Sequence, residues 1–497
     1  MVTSVWAANL MWVLLGANWV LEGRWQEKWQ MARASRLLHA LVALYALHLV
    51  GMLWTSNLAH GWSILQVKLP LLVVPLVVLT TPAVKGRARS LILAIYATTV
   101  LVVSVIGAVR LATIPDLPYR DAVPYISHIR FALNCCMVIF LLLTGGGKWR
   151  WGHGRWVWTI LRVLLSLWLL AFLIMLRSYT AMVILAVVSL ALALRMLPSG
   201  KWLPAVLWLL IASTAALLVG HEAKSYYRMV DSATAPLRAY TAGGRPYTHT
   251  QDGIIENGNY INNYVCHEEL RTEWQRRSTV AYDSMVADGY SVHPTLVRYL
   301  NALGLTKDSV GVSALTARQI QDIEHGVANP VYTSGNPIRK MVYVMLFERE
   351  FYNHTHTSRG FTMLQRLELW KATLRVISDN RWVGVGTGDV DDVLHAELAA
   401  TGSDLTGTYK STHNQYLAFL AAFGVVGFAF LLFMFLRPLS TPRSFPTRHS
   451  LLLLAWLLTI LISCLTEDTL STLAGILFCT WFLAFRTNQH PTSTIRH

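Results

Sequence analysis

The stretch STHNQYLAFLAAFGVVGF, Ser411 to Phe428, opens on a polar cluster and runs straight into an uncharged apolar segment that continues to residue 436. A run of that length spans the hydrocarbon core of a bilayer. Ten further runs of the same character lie at 4–21, 37–54, 62–82, 90–109, 125–143, 156–176, 178–195, 202–220, 450–466 and 469–486. Hydrophobic residues make up 54% of the 497, too many for an ordinary soluble protein. The expected fold class is an all-α polytopic membrane protein with about 11–12 transmembrane helices. A large, mainly helical domain is inserted before the last three. No cleavable signal peptide is read at the start, where the first apolar stretch lacks a basic flank and a small-residue cleavage site.

Basic residues set the orientation. Arg24, Lys28, Arg33 and Arg36 share one connection, and Lys85, Arg87 and Arg89 share the next on that side. Lys148, Arg150 and Arg155 continue the series, followed by Arg195 and Lys201, by Arg437, Arg443 and Arg448, and by Arg486 and Arg496. The alternate connections are short and almost without lysine. The first set is therefore expected in the cytoplasm, and the segment from His221 to Thr412 outside it. Three domains follow: membrane helices over 1–220, an outer domain over 221–412, and membrane helices over 413–497.

The outer segment holds 19 Lys and Arg against 21 Asp and Glu, whereas the remainder holds 23 against 6. The net charge of +15 is thus mostly topological, and nucleic acid is excluded as a partner because the outer domain carries no basic stripe. Of five cysteines only Cys266 falls in the outer domain, so no internal disulfide is expected there. Neither an internal repeat nor a low-complexity tract is seen.

Within the outer domain, SALTARQIQDIEHGVANP (313–330) reads as a helix capped by Ser313 and stopped by proline, and GFTMLQRLELWKATLRVISDN (360–380) as an amphipathic helix. The Gly/Asn/Tyr-rich stretch 242–264 reads as a loop, either a flap over a site or a plain surface loop. WVGVGTGDVDDVLHAEL (382–398) has three glycines that resemble a phosphate loop but no strand–loop–helix context. Its Asp389, Asp391 and Asp392 resemble a metal-binding acidic motif, and equally the acids that a helix N-terminus favours. His354 and His356 form a metal-like pair without a third ligand in view.

Charges in apolar spans are expensive and mark cavities or ligands. Arg130 in YISHIRFALN lies about one turn into a span on the outer side. Arg177 in IMLRSYTAMVIL sits between two apolar helices with almost no loop. Lys68 in ILQVKLPLLVVPL is similarly placed, with Pro70 and Pro75 expected to break the helix beyond it. Glu467 and Asp468 occupy the outer connection of the last hairpin, and each cation has snorkelling or pairing with these acids as its ordinary explanation. Arg366 and Trp370 share a helix face in the outer domain. Outward guanidiniums at the lipid–water boundary suit a diphosphate, to whose oxygens arginine gives planar, bidentate contacts.

Ser411 and Thr412 are good N-cap residues, which places His413 in the first helical turn, where the positive end of the helix dipole disfavours imidazolium. A neutral imidazole is what a general base requires. Gly424 and Gly427 fall near the same face, about 16 Å deeper by the helical rise, where they would admit a neighbouring helix. A catalytic base at a membrane surface and a buried histidine needing a partner both fit these residues.

The pattern His413-Asn414, nine residues, Gly424-x-x-Gly427 resembles the signature of the bacterial O-antigen ligase (WaaL) and polymerase superfamily. RSYTA, HIRF, KLPLL, RLELW followed by GVGTGD, and TEDTL resemble further segments of the same family, and the topology is similar over most of the chain. The resemblance implies a multi-pass protein of the bacterial inner membrane with its site on the periplasmic side. It implies an inverting, metal-independent glycosyltransferase without cofactors. The donor would be a glycan on undecaprenyl diphosphate, the acceptor a sugar hydroxyl of lipid A–core. It also implies roles: His413 as base, oriented by Asn414; Arg130, Arg177 and Arg366 on the diphosphate; Lys68, Trp370 and Glu467 in support.

An O-antigen or exopolysaccharide polymerase and a protein O-oligosaccharyltransferase share this chemistry and differ in acceptor. A transporter belongs to a different class. It predicts mid-bilayer charges and two repeated halves, whereas the unusual charges here gather at the outer ends of the spans.

Overall fold

The computed structural model describes residues 5–82, 84, 86–115, 117–144, 155–200, 202–227, 237–250, 253–285, 291–359, 361–407, 411–436 and 448–487. Lys85, Lys148, Arg150, Lys201, Arg437, Arg443 and Arg496 lie outside these residues.

The fold is all-α. The helices of the first half are α1 (Val5–Leu21), α2 (Trp25–Ala34), α3 (Arg36–Gly51), α4 (Leu58–Leu79), α5 (Gly86–Thr113), α6 (His128–Thr144), α7 (Arg155–Met175), α8 (Tyr179–Met196) and α9 (Leu203–Tyr227). Then come α10 (His267–Arg277), α11 (Val292–Ala302), α12 (Ser309–Ser313), α13 (Ala317–Glu324), α14 (Pro337–Thr355), α15 (Thr362–Asp379) and α16 (Val390–Ala400). The last three are α17 (Gln415–Leu436), α18 (Arg448–Thr466) and α19 (Leu473–Thr487). Among the described residues seven helices are long and apolar enough to cross a membrane, and Trp6–Leu21, His128–Thr144 and Leu454–Thr466 are shorter apolar helices. Every expected span coincides with a helix.

The chain divides into two compact units, 1–205 with 366–497, and 206–365. The segment 366–412 thus clusters with the membrane helices. In the first unit α6 is the central element. Its residues from Arg130 to Leu142 are all buried, packed against α5, α7, α8 and α18. A second cluster joins α3, α4, α17 and α19. α4 runs unbroken through Pro70 and Pro75, both buried. The expected break does not occur, because close neighbours in membrane bundles compensate the backbone groups that proline frees.

In the second unit, Trp274, Tyr299, Leu270, Leu296 and Phe347 form the core. Glu256, from the glycine-rich stretch read as a loop, lies at its centre in a short hairpin, Ile255–Glu256 with Asn259–Tyr260. Its carboxylate accepts from Arg298 Nε (2.9 Å) and Nη2 (3.1 Å), from Asn329 Nδ2 (2.8 Å) and from the Tyr343 hydroxyl. A buried charge survives only with such pairing, so this part of the stretch is a structural anchor rather than a flap. The cap of α13 is Thr316, which forms a reciprocal capping box with Gln319. Ser313, the expected cap, instead ends α12.

Candidate active site

The site is built around the connection between α18 and α19, TEDTL, Thr466 to Leu470. Backbone groups turning back at a membrane boundary need partners, and two cations supply them. Lys68 of α4 donates to the Leu470 carbonyl (2.8 Å). Arg130 of α6 donates to the Asp468 carbonyl and to Thr469 Oγ1, both at 3.1 Å. The amide oxygen of Gln415 accepts the Leu470 N–H (2.7 Å). The connection is therefore held by polar side chains from three membrane helices.

Its two acids are fixed as a consequence. Asp468 accepts the hydroxyls of Ser411 and Thr412 (2.9 Å to the latter) and the backbone N–H of His413 (3.0 Å). With both hydroxyls so engaged, the residue that caps α17 is Asn414, whose side-chain oxygen accepts from Tyr416 N (3.0 Å) and Leu417 N (3.1 Å). His413 stands before the helix, not in its first turn, in a left-handed conformation (φ 48°) that non-glycine residues seldom adopt. Asn414 was expected to orient the imidazole. Its oxygen is committed to the helix end instead.

The imidazole faces Glu467. Nδ1 of His413 lies 3.9 Å from one carboxylate oxygen, an ion-pair separation, and the other oxygen accepts Arg366 Nη2 of α15 at 2.5 Å. Burial pushes the Glu467 carboxyl up. The neighbouring His413 and the guanidiniums of Arg366 and Arg130 pull it down further, and the net position is below the ordinary glutamate range. An ionised carboxylate beside Nδ1 favours the tautomer that carries its proton there. Residues 318–432, which carry Arg366 and His413, match a family model described as O-antigen ligase.

Residues 318–432 form a domain of the O-antigen ligase superfamily. That family is of the glycosyltransferase type and works on lipid-linked substrates. No curated protein matches the chain. The matched region takes in Trp370, the GVGTGD stretch and most of the Gly424 helix, but ends before Glu467 and Asp468.

The remaining expected residues take distinct places. Arg177 occupies the tight turn between α7 and α8, also left-handed (φ 49°), with its guanidinium exposed and 5.3 Å from the Tyr119 ring. Three residues on, the Thr180 hydroxyl contacts that of Thr466 (3.2 Å), so the Arg177 turn lies at the same end of the bundle as Glu467. Trp370 follows Arg366 by one turn of α15, and its buried indole N–H has no hydrogen-bond partner among the described residues. Such an orphaned donor is costly. Arg130 and Lys68 are committed to the connection from beneath.

Gly424 has φ 63° and ψ −170°, so α17 is broken there. The stretch Arg381–Gly386 enters the break. Val385 and Gly386 donate to the carbonyls of Ala421 and Ala422 (2.9 Å each), while Val425 and Val426 donate to those of Arg381 (2.8 Å) and Trp382 (3.2 Å). A Cβ on Gly424 would stand 2.3 Å from the Trp382 carbonyl atoms, and one on Gly384 would stand 2.4 Å from the Ala422 carbonyl carbon. Gly424 thus admits a backbone segment rather than the neighbouring helix expected there, whereas Gly427 lies against Phe423 and Leu47 of α3. GVGTGD is a docking strap and not a phosphate loop. The acids after it are spoken for separately. Asp389 accepts the N–H groups of Ser56 and Asn57 (2.7 Å each), Asp392 accepts Asn57 Nδ2 (2.7 Å), and Asp391 faces His60 (3.2 Å). His354 pairs with Glu350 (3.4 Å). No cluster of three or more metal-ligating side chains occurs among the described residues.

Sequence reasoning placed Asp468 in the last connection without giving it a role. The signal was present in the run T-E-D-T, but its target, the backbone of residues 411–413, is remote in sequence.

Proposed function

We propose that the protein is an O-antigen ligase of the bacterial inner membrane. On the periplasmic side it transfers a glycan from undecaprenyl diphosphate to a sugar hydroxyl of lipid A–core, with inversion. The reading rests on one observation: Glu467 lies between the imidazole of His413 and the guanidinium of Arg366.

In this scheme Glu467 holds the Nδ1 side of the ring, and Nε2 of His413 takes the proton of the acceptor hydroxyl. The oxygen attacks the anomeric carbon from the face opposite the diphosphate, and the C–O bond to the diphosphate breaks. The bonding pair leaves with the lipid diphosphate. Arg366 and Arg177 bind its developing charge, and the fixed charge of Arg130 adds to the field from below, an electrostatic role that requires no metal. The unpartnered N–H of Trp370 is suited to a sugar or phosphate oxygen. The polyprenyl chain stays in lipid while the sugars stay in water, which is why the site belongs at that boundary.

The test is transfer by the purified protein from a lipid-diphosphate glycan to lipid A–core, with and without chelator. Transfer that survives chelation supports the scheme. Dependence on a divalent cation overturns the arginine mechanism. Elongation of the donor glycan, with lipid A–core ignored, makes the protein a polymerase instead.

A further inference from the structure

α2 is ten residues long, WQEKWQMARA, too short and too polar to cross a bilayer, and it joins the apolar helices α1 and α3. Gly23 (φ 67°) and Arg24 (φ 51°) turn the chain sharply out of α1. Lys28 is buried. Its ammonium donates to the Trp19 carbonyl (2.6 Å), pairs with Glu22 (3.2 Å), and lies 4.8 Å from the Trp19 ring and 5.5 Å from that of Trp25. A cation on the last-turn carbonyls is a favourable helix end. One side of α2 is thereby pinned to the end of α1.

Another side presents Trp25, Trp29 and Arg33, spaced by four and so aligned along the helix. The two indoles are 54% and 60% exposed, and the Arg33 guanidinium lies 4.9 Å from the Trp29 ring. Arg36, just inside α3, is also exposed. Glu22 is engaged by Arg24 and Lys28, and Glu27 faces Arg24 at 3.8 Å. Among the described residues Arg33 and Arg36 make no ion pair. Two half-exposed indoles side by side leave apolar surface in water, which is unfavourable, while the guanidiniums beside them are left without a carboxylate partner. They match the boundary of a bilayer, where tryptophan seats at the head-group level and arginine meets phosphate. Because α1 and α3 are both apolar, the helix between them lies at such a boundary whichever way the protein is oriented.

We propose that α2 is an in-plane interfacial helix that binds anionic phospholipid head groups through Arg33 and Arg36, with Trp25 and Trp29 seated beside them in the bilayer boundary. This binding is independent of the transfer reaction.

The test uses the full-length protein in nanodiscs of phosphatidylcholine alone or mixed equally with phosphatidylglycerol. The anionic lipid is expected to raise Tm, and native mass spectrometry to find phosphatidylglycerol retained. The double variant R33Q/R36Q should lose most of that rise while matching wild type in phosphatidylcholine. Inorganic phosphate added to phosphatidylcholine discs should give no rise, which separates a head group from free phosphate. A wild-type protein indifferent to the anionic lipid, a double variant that keeps the full rise, or phosphate that reproduces it would each overturn the proposal. Should the double variant be unstable in phosphatidylcholine, lipid retention by R36Q alone decides: unchanged retention counts against the inference, reduced retention for it.

Discussion

The carboxylate of Asp468 accepts the backbone N–H of His413 across 55 residues of sequence. The last hairpin therefore sets the height and the left-handed turn of the histidine that precedes α17. Asp468→Asn preserves the shape but weakens the hold on Ser411, Thr412 and His413 together. A displacement of about 1 Å at a reacting group lowers turnover about 100-fold. We expect that loss in kcat with little change in KM, measured by transfer in reconstituted membranes. Unchanged turnover would show that the segment 411–413 is held by other means.

His413→Ala and His413→Gln should both abolish transfer and leave the protein folded. The imidazole lies outside α17, and α17 keeps its Asn414 cap. Glutamine retains polarity but cannot accept a proton at neutral pH, so retained activity in that variant would remove His413 from the role of base. Circular dichroism and monodisperse elution check the fold.

Glu467 offers a pH test. Its carboxyl is held below the ordinary value of 4.5. A carboxyl depressed in the folded state adds stability above its unfolded pKa, and that stability is lost as pH falls through the folded one. Wild type should therefore be more stable than Glu467→Gln from neutral pH down to about 4.5. The gap closes only in more acidic solution. Thermal melts across pH 3–8 check this, and a gap that vanishes between pH 7 and 5 would be incompatible with it.

Gly424→Ala is expected to destabilise by roughly 2–3 kcal/mol. It combines a positive φ with a Cβ driven against the Trp382 backbone. The melting temperature and protease susceptibility near residues 381–386 report the result. A variant as stable as wild type would mean that the strap can move aside.

The spans were legible in the sequence because hydrophobic length is a local property, and a twenty-residue apolar run can form little else in a bilayer. Lys68, Arg130 and His413 stood out for a related reason: a cation or a histidine at the end of an apolar run demands explanation. Partners were not legible. Whether Ser411 or Asn414 caps α17 depends on Asp468 removing the first from competition, and Thr316 displaced Ser313 once α12 had used the latter. The glycine spacing marked close approach, but the identity of what approaches is a long-range fact. A strap and a helix leave the same mark.

The break at Gly424 bears on how the protein is made. Val425 and Val426 find their acceptors in Arg381 and Trp382, residues that leave the ribosome earlier and lie on the far side of α16. When α17 first enters the bilayer, those amides either complete a continuous helix or stay unsatisfied in lipid, which costs several kcal/mol per group. Insertion of α17 and docking of the strap are therefore coupled through the hydrogen bonds of these two amides.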